Sequence, residues 1–157
     1  MLKEKKIKLR TLLPTDLELL QKIENDISLW EYGSDRKIFN KEELTNYIKN
    51  SSEKIQKAKQ FRFVVDYNNI PVGFVDLFEY KNSSAGVGII IDKEYQKRGF
   101  ASESLKLLID YSLKEIKLKK LYCKIGKCNL RSIQLFTSCG FAFTKEKDNL
   151  YFYTFTL

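Results

Sequence analysis

Histidine is absent from all 157 residues, which removes Ser-His-Asp and Cys-His nucleophile systems, imidazole metal centres and any histidine general base. Cysteine is scarce. Cys123, Cys128 and Cys139 form an odd set without a CxxC pair, so neither a disulfide framework nor a thiolate zinc site is suggested, and no metal is expected. Long apolar runs are missing from both ends. The opening Met1-Leu2-Lys3-Glu4-Lys5-Lys6 leads into strand-like alternation and not into the apolar stretch of a signal peptide. A cytoplasmic protein that does not engage a membrane is the expectation.

What is present suffices for one core. Hydrophobic residues make up 43% of the chain and aromatics 13%, which suits a single globular domain over 1–157. Lysine and arginine number 28 against 20 acidic residues, a net charge of +8. That charge suits an anionic partner, either a phosphate-bearing cofactor or a nucleic acid. The lysines are interleaved with glutamates throughout, as on a solvated surface. No strand interleaves aromatic and basic residues in the RNA-binding manner, so a nucleic-acid domain is the weaker reading.

Ile7-Lys8-Leu9-Arg10 alternates like an edge strand, and Pro14-Thr15-Asp16 opens a helix with apolar Leu17, Leu20, Ile23 and Ile27. Asn40 caps a second helix with acid in its first turn and apolar Leu44, Tyr47 and Ile48. Phe61–Val65 and Val72–Phe78 form a hairpin about Asn68-Asn69-Ile70-Pro71, and Val87–Ile91 reads as a mid-sheet strand buried on both faces. Ala101, Leu105, Leu108, Ser112 and Ile116 mark the face of a third helix. A strand at Leu121–Ile125 and a helix ending at Gly140 follow, then a hairpin of Phe141–Phe143 and Tyr151–Phe155 turning at Asp148-Asn149. The order is β-α-α-β-β-β-α-β-α-β-β, one mixed α/β sheet.

The run from Ile89 to Ala101 passes from an apolar strand through a basic turn into a helix. Backbone amides at a helix start lack intrahelical partners and carry partial positive charge, so a diphosphate can sit there. Gly99 lets the backbone approach closely, Lys97 and Arg98 add charge, and Ala101 is small. The same spacing also suits an ordinary strand-to-helix connection.

Gln96-x-x-Gly99-x-Ala101 resembles the coenzyme A loop of the GNAT acetyltransferase family. Asn129-Leu130-Arg131-Ser132 followed by Leu135-Phe136 and Cys139-Gly140-Phe141 resembles the family's second signature. Val72-Gly73, Gln96 to Ala101 and Asp110-Tyr111 are most similar to the bacterial branch of spermidine and ribosomal-protein N-terminal acetyltransferases. The resemblance implies a mostly antiparallel sheet whose central parallel pair splays apart, with the pantetheine arm filling the gap. It implies acetyl-CoA as cofactor, held by Ile89, Ile90, Ile91, Gln96, Lys97, Arg98, Gly99, Phe100, Ala101, Ser102, Asn129 and Ser132. It implies direct attack on the thioester by a primary amine, of a polyamine or a protein N-terminus.

The family often places a glutamate where this chain has Gly86 and a tyrosine general acid where it has Phe136. A thiol of pKa about 8.5 leaves readily as thiolate, so loss of that acid is survivable. Asp76 and Glu79 are substitute bases. Alternation puts them on opposite faces, so only one can face the cleft, and Asp76 is the choice. Asn129 is assigned to the catalytic set as well, and a helix N-cap is an equally good reading of it. Glu24, Asp26, Trp30, Glu31 and Tyr32 fall where relatives receive the amine, and carboxylates beside aromatics suit a cation. A CoA-binding module without catalysis is the rival reading, and a homodimer is compatible with the chain.

Overall fold

The structure, a computed structural model, describes residues 7–26 and 38–157. The elements in order are β1 (Ile7–Arg10), a 3-10 turn (Pro14–Asp16), α1 (Leu17–Glu24), α2 (Lys41–Asn50), α3 (Ile55–Ala58), β2 (Phe61–Tyr67) and β3 (Ile70–Lys81). There follow β4 (Ser84–Ile91), a second 3-10 turn (Lys93–Tyr95), α4 (Phe100–Lys114), β5 (Lys120–Gly126), α5 (Leu130–Ser138), β6 (Ala142–Lys147) and β7 (Leu150–Thr156). The strands form one sheet in the order β1-β2-β3-β4-β5-β7-β6. Every neighbouring pair is antiparallel except β4 and β5. This is the mixed sheet that the sequence predicts, with α3 as an additional short helix.

Local chemistry explains the element ends. The Asn40 side chain accepts from the Glu43 amide at 2.8 Å while Glu43 Oε1 receives the Asn40 amide at 3.4 Å, a reciprocal cap that fixes the start of α2. Asn68 and Asn69 (φ 48° and 69°) and Asp148 and Asn149 (φ 53° and 66°) make left-handed two-residue turns, which match the twist of the strands they join. Gly140, at φ 101°, closes α5 where a side chain would meet the Phe155 ring.

Alternation along the strands builds two cores. On one face Val75, Leu77, Val87, Leu121 and Cys123 pack under α4 and α5 through Leu105, Leu108 and Phe136, joined by Phe141 just past α5. On the other, Val64 and Phe74 pack under α1 and α2 through Leu20, Ile23, Leu44 and Ile48. Leu20, Phe74, Leu105 and Leu121 are wholly buried, and truncating any of them to alanine costs about 2–5 kcal/mol. Arg10 pins the edge: its fork donates to both oxygens of buried Asp16 at 2.8 Å, and its Nε to Asp66 of β2 at 2.8 Å.

Two irregularities position the site. β4 pairs with β5 only at Ser84–Lys120, Ala85–Leu121 and Gly86–Tyr122, so beyond Gly86 the two strands part. Gly88, Ile89 and Ile90 are consequently half-buried, where an unbroken apolar run predicts burial on both faces. The second is a register shift in β3 between Phe78 and Lys81, where Glu79 takes φ 49° and the Tyr80 amide bonds to Lys59 O at 3.0 Å.

Candidate active site

A cavity of about 240 Å³ opens beside the parted strand β4, on the α4 side of the sheet. Ile89, Ile90 and Ile91 form one wall, Gln96, Lys97, Gly99, Phe100, Ala101 and Ser102 the floor, and Ser132 the far side. The loop turns into α4 through left-handed backbone at Lys97 (φ 64°) and Gly99 (φ 83°). The first intrahelical bond of α4 joins the Glu103 amide to Gly99 O at 3.2 Å, so the amides ahead of it lie beyond the reach of the helix's own carbonyls. Those amides, the helix dipole and Lys97 together suit a diphosphate. An apolar arm can run from there along Ile91 to Ile89, where β4 pairs with β3 on one side and has no strand on the other.

Several predicted cofactor residues act in ways that sequence does not specify. Phe100 is buried and its ring lies 4.9 Å from that of Tyr67, so it meets the cavity near its backbone. The Gln96 side chain is a strut: Nε2 donates to Ile91 O at 2.9 Å and Oε1 receives Arg131 Nη1 at 3.4 Å, tying the end of β4 to the start of α5. Arg98 is exposed, does not line the cavity, and sits over the Tyr95 ring at 5.5 Å. Asn129 is likewise outside the lining and caps α5, its Oδ1 accepting from the Ser132 amide at 3.2 Å. Tyr95, Arg131 and Leu135 complete the lining without having been predicted. The available signal for Arg131 was a cation in the first turn of a capped helix.

The opposite face of the sheet carries an array of charge. Arg62 on β2 donates to both oxygens of Asp76 and, through Nη1, to Glu24 of α1. Its guanidinium stacks 5.1 Å from the Phe74 ring and 5.6 Å from Tyr47. Burial pulls the Arg62 pKa down, but Asp76, Tyr47 and Glu24 outweigh it and hold the group well above its ordinary value, fully charged. Asp76 lies beside Gly88, where a Cβ would stand 3.6 Å from Oδ2.

Glu79 departs from the expected alternation. The register shift turns its carboxylate to the side of Tyr122 and Lys124, and Tyr122 packs edge-on against Phe78, which shares a face with Asp76. Both acids therefore stand on the side facing α1 and α2, and the assignment to opposite faces is corrected. Asp26 pairs with Lys93 at 3.4 Å, and Lys22 of α1 reaches Asp92 at 3.0 Å and Glu94 at 3.3 Å. Trp30, Glu31 and Tyr32 lie outside the described residues. Among the described residues no cluster suited to a metal ion occurs, and no helix is long and apolar enough to cross a membrane.

A helix start suited to a diphosphate, a gap between strands in mid-sheet and a polar face behind it are what a coenzyme A-dependent acyltransferase requires. Residues 6–142 match the family described as Acetyltransferase (GNAT) domain, and the chain belongs to that family. It is 30% identical over 148 residues to the spermidine N(1)-acetyltransferase of Escherichia coli K12, covering 93% of this chain and 78% of that one. Its fold matches the crystal structure of the Vibrio cholerae spermidine N-acetyltransferase in complex with CoA and spermine, with TM-score 0.81 and 24% identity over 94% and 92% of the two chains. A ribosomal L7/L12 alpha-N-protein acetyltransferase in complex with coenzyme A matches with TM-score 0.82 and 14% identity over 96% and 94%. The chain is an acetyltransferase of the GNAT family and its cofactor is acetyl-CoA.

Proposed function

We propose that this enzyme transfers the acetyl group of acetyl-CoA to a primary amine, of a polyamine or a protein N-terminus, by direct attack in a ternary complex. The observation that carries the reading is the cavity joining the α4 amides to the length of β4 that β5 has left. The backbone amides from Gln96 to Ser102 hold the diphosphate, with the Lys97 ammonium and the Ser102 hydroxyl beside them, Arg98 adding charge from outside the cavity and Ser132 on the far side. The main chain of Ile89, Ile90 and Ile91 receives the pantetheine arm. The Asn129 carboxamide nitrogen, a donor whose oxygen already caps α5, serves the same arm.

The amine approaches the thioester from the face that carries Glu24, Asp26 and Asp76, with Trp30, Glu31 and Tyr32 completing the acceptor side. An alkyl ammonium of pKa about 10.4 must shed a proton before its nitrogen can attack. A carboxylate has about four lone-pair positions, so Asp76 receives an amine N–H while keeping both bonds to Arg62. The nitrogen forms its bond to the acetyl carbon, the C–S bond breaks, the surplus proton on nitrogen passes to water, and the sulfur leaves as a thiolate needing little acid assistance. Most of the rate then comes from register between amine and thioester, worth about 7 kcal/mol or more in well-oriented systems.

One similar protein is named a spermidine N(1)-acetyltransferase and one structural neighbour a ribosomal L7/L12 alpha-N-protein acetyltransferase. The net charge of +8 opposes long-range steering of a polycation, which favours a peptide amine. Release of CoA thiol should be followed with spermidine and with short peptides bearing a free N-terminal amine. Turnover of either supports the reading. Thermal stabilisation by acetyl-CoA with no turnover of any amine would favour a binding module without catalysis.

A further inference from the structure

Tyr122 is the last residue of β5 to pair with β4, opposite Gly86, and so stands where the gap between the strands closes. Its ring meets the Phe78 ring edge-on at 6.1 Å, which places it on the side of the sheet away from the cofactor cavity. Its hydroxyl donates to Glu79 Oε2, and Lys124 Nζ donates to Glu79 Oε1 at 3.1 Å. Glu79 reaches this position only through the bulge at φ 49°, so β3 and β5 meet at this hydroxyl.

A pantetheine arm anchored at the start of α4 and laid along Ile91 to Ile89 would point along β4 toward Gly88 and the Gly86–Tyr122 pair beyond it. With its proton committed to Glu79, the Tyr122 oxygen presents only lone pairs to whatever approaches. We propose that Tyr122 is a catalytic residue of the transfer, its phenolic oxygen receiving an N–H of the attacking amine, with Glu79 and Lys124 as positioning residues. The assignment rests on the acetyltransferase reading. In the step itself the neutral amine gives its lone pair to the acetyl carbon and the C–S bond breaks toward sulfur. The surplus proton on nitrogen passes to water, and the thiolate takes one up. Tyr122 keeps its own proton throughout. Burial, and then the Glu79 carboxylate, push the Tyr122 pKa up, which preserves that arrangement over the working pH range.

The test compares Tyr122→Phe, Glu79→Gln and Glu79→Ala with the parent protein, using spermidine and a peptide with a free N-terminal serine as acceptors. Calorimetry gives acetyl-CoA affinity and thermal denaturation gives stability. Tyr122→Phe should lower kcat/KM for the amine by about 10- to 100-fold, the range for one hydrogen bond to a charged or charging group. Acetyl-CoA affinity should not change. Glu79→Ala should match that loss, while Glu79→Gln, which retains an oxygen for the hydroxyl, should recover part of it. Parental kcat/KM in Tyr122→Phe overturns the assignment, as does a loss that runs in parallel with acetyl-CoA affinity and melting temperature. A parent protein that binds acetyl-CoA yet acetylates neither acceptor overturns the transfer reading itself.

Discussion

Gly86 lies directly under the ring of Phe78: a Cβ built on Gly86 would stand 2.4 Å from Phe78 Cε2. The ring occupies the space that a side chain on β4 would fill and in turn supports Tyr122. Gly86→Ala should therefore destabilise by about 1–3 kcal/mol, as overpacking does. Phe78→Leu in the same chain should relieve part of that cost, a non-additivity read from urea denaturation of the two single variants and the double.

Gly99 holds φ 83° at the head of α4. Gly99→Ala should cost about 1–2 kcal/mol through backbone strain alone. Gly99→Trp should abolish acetyl-CoA binding in calorimetry while the protein remains folded by circular dichroism. Unchanged affinity in that variant would move the diphosphate away from this turn.

Asp16 is buried and accepts from both ends of the Arg10 fork and from the Leu13 amide at 2.7 Å. Arg10 keeps Asp66 but its fork and the Leu13 amide lose their acceptor, so Asp16→Ala should cost about 1–3 kcal/mol, seen as a lower urea midpoint with little change in slope.

The hydrogen bond from Tyr122 and then the neighbouring Lys124 hold the Glu79 carboxyl below its ordinary value of 4.5. A depressed carboxylate contributes stability that is complete above its unfolded pKa and is lost as pH falls through the folded one. The melting temperature of the parent should exceed that of Glu79→Gln by a constant margin through neutral pH. The margin should close as pH drops below 4.5.

Burial pushes the Cys123 thiol up to about 12, whereas Cys128 is exposed and Cys139 is partly covered. Thiolate is the reactive form. Under native conditions an alkylating reagent should modify Cys128 first, and Cys123 should react only on unfolding, as mass mapping of modified peptides would register.

The cofactor loop was legible in the sequence because its chemistry is local: an apolar strand, a left-handed glycine and a helix start are consecutive residues. The caps at Asn40 and Gly140 were legible for the same reason. Features that depend on distant partners were not. The face of Glu79 follows from counting by twos only while the ladder is unbroken, and no residue type announces the shift between Phe78 and Lys81. Three isoleucines in a row read as doubly buried, although a flank reserved for a ligand has the same composition. Arg62 joins Glu24 to Asp76 across separations of 38 and 14 residues, a bridge that only the assembled sheet creates.

Among the described residues, the three residue pairs between β4 and β5, extended by the Lys119 amide bonded to Ser83 O at 2.8 Å, form the main-chain seam between β1–β4 and β5–β7. Past that seam the two halves cohere through side chains: apolar packing, the Gln96 strut to Arg131 and the grip of Glu79 on Tyr122 and Lys124. Amides bordering the fissure should be the quickest in the sheet to trade deuterium, and the molecule's first large-scale yielding under denaturant should run along this fault.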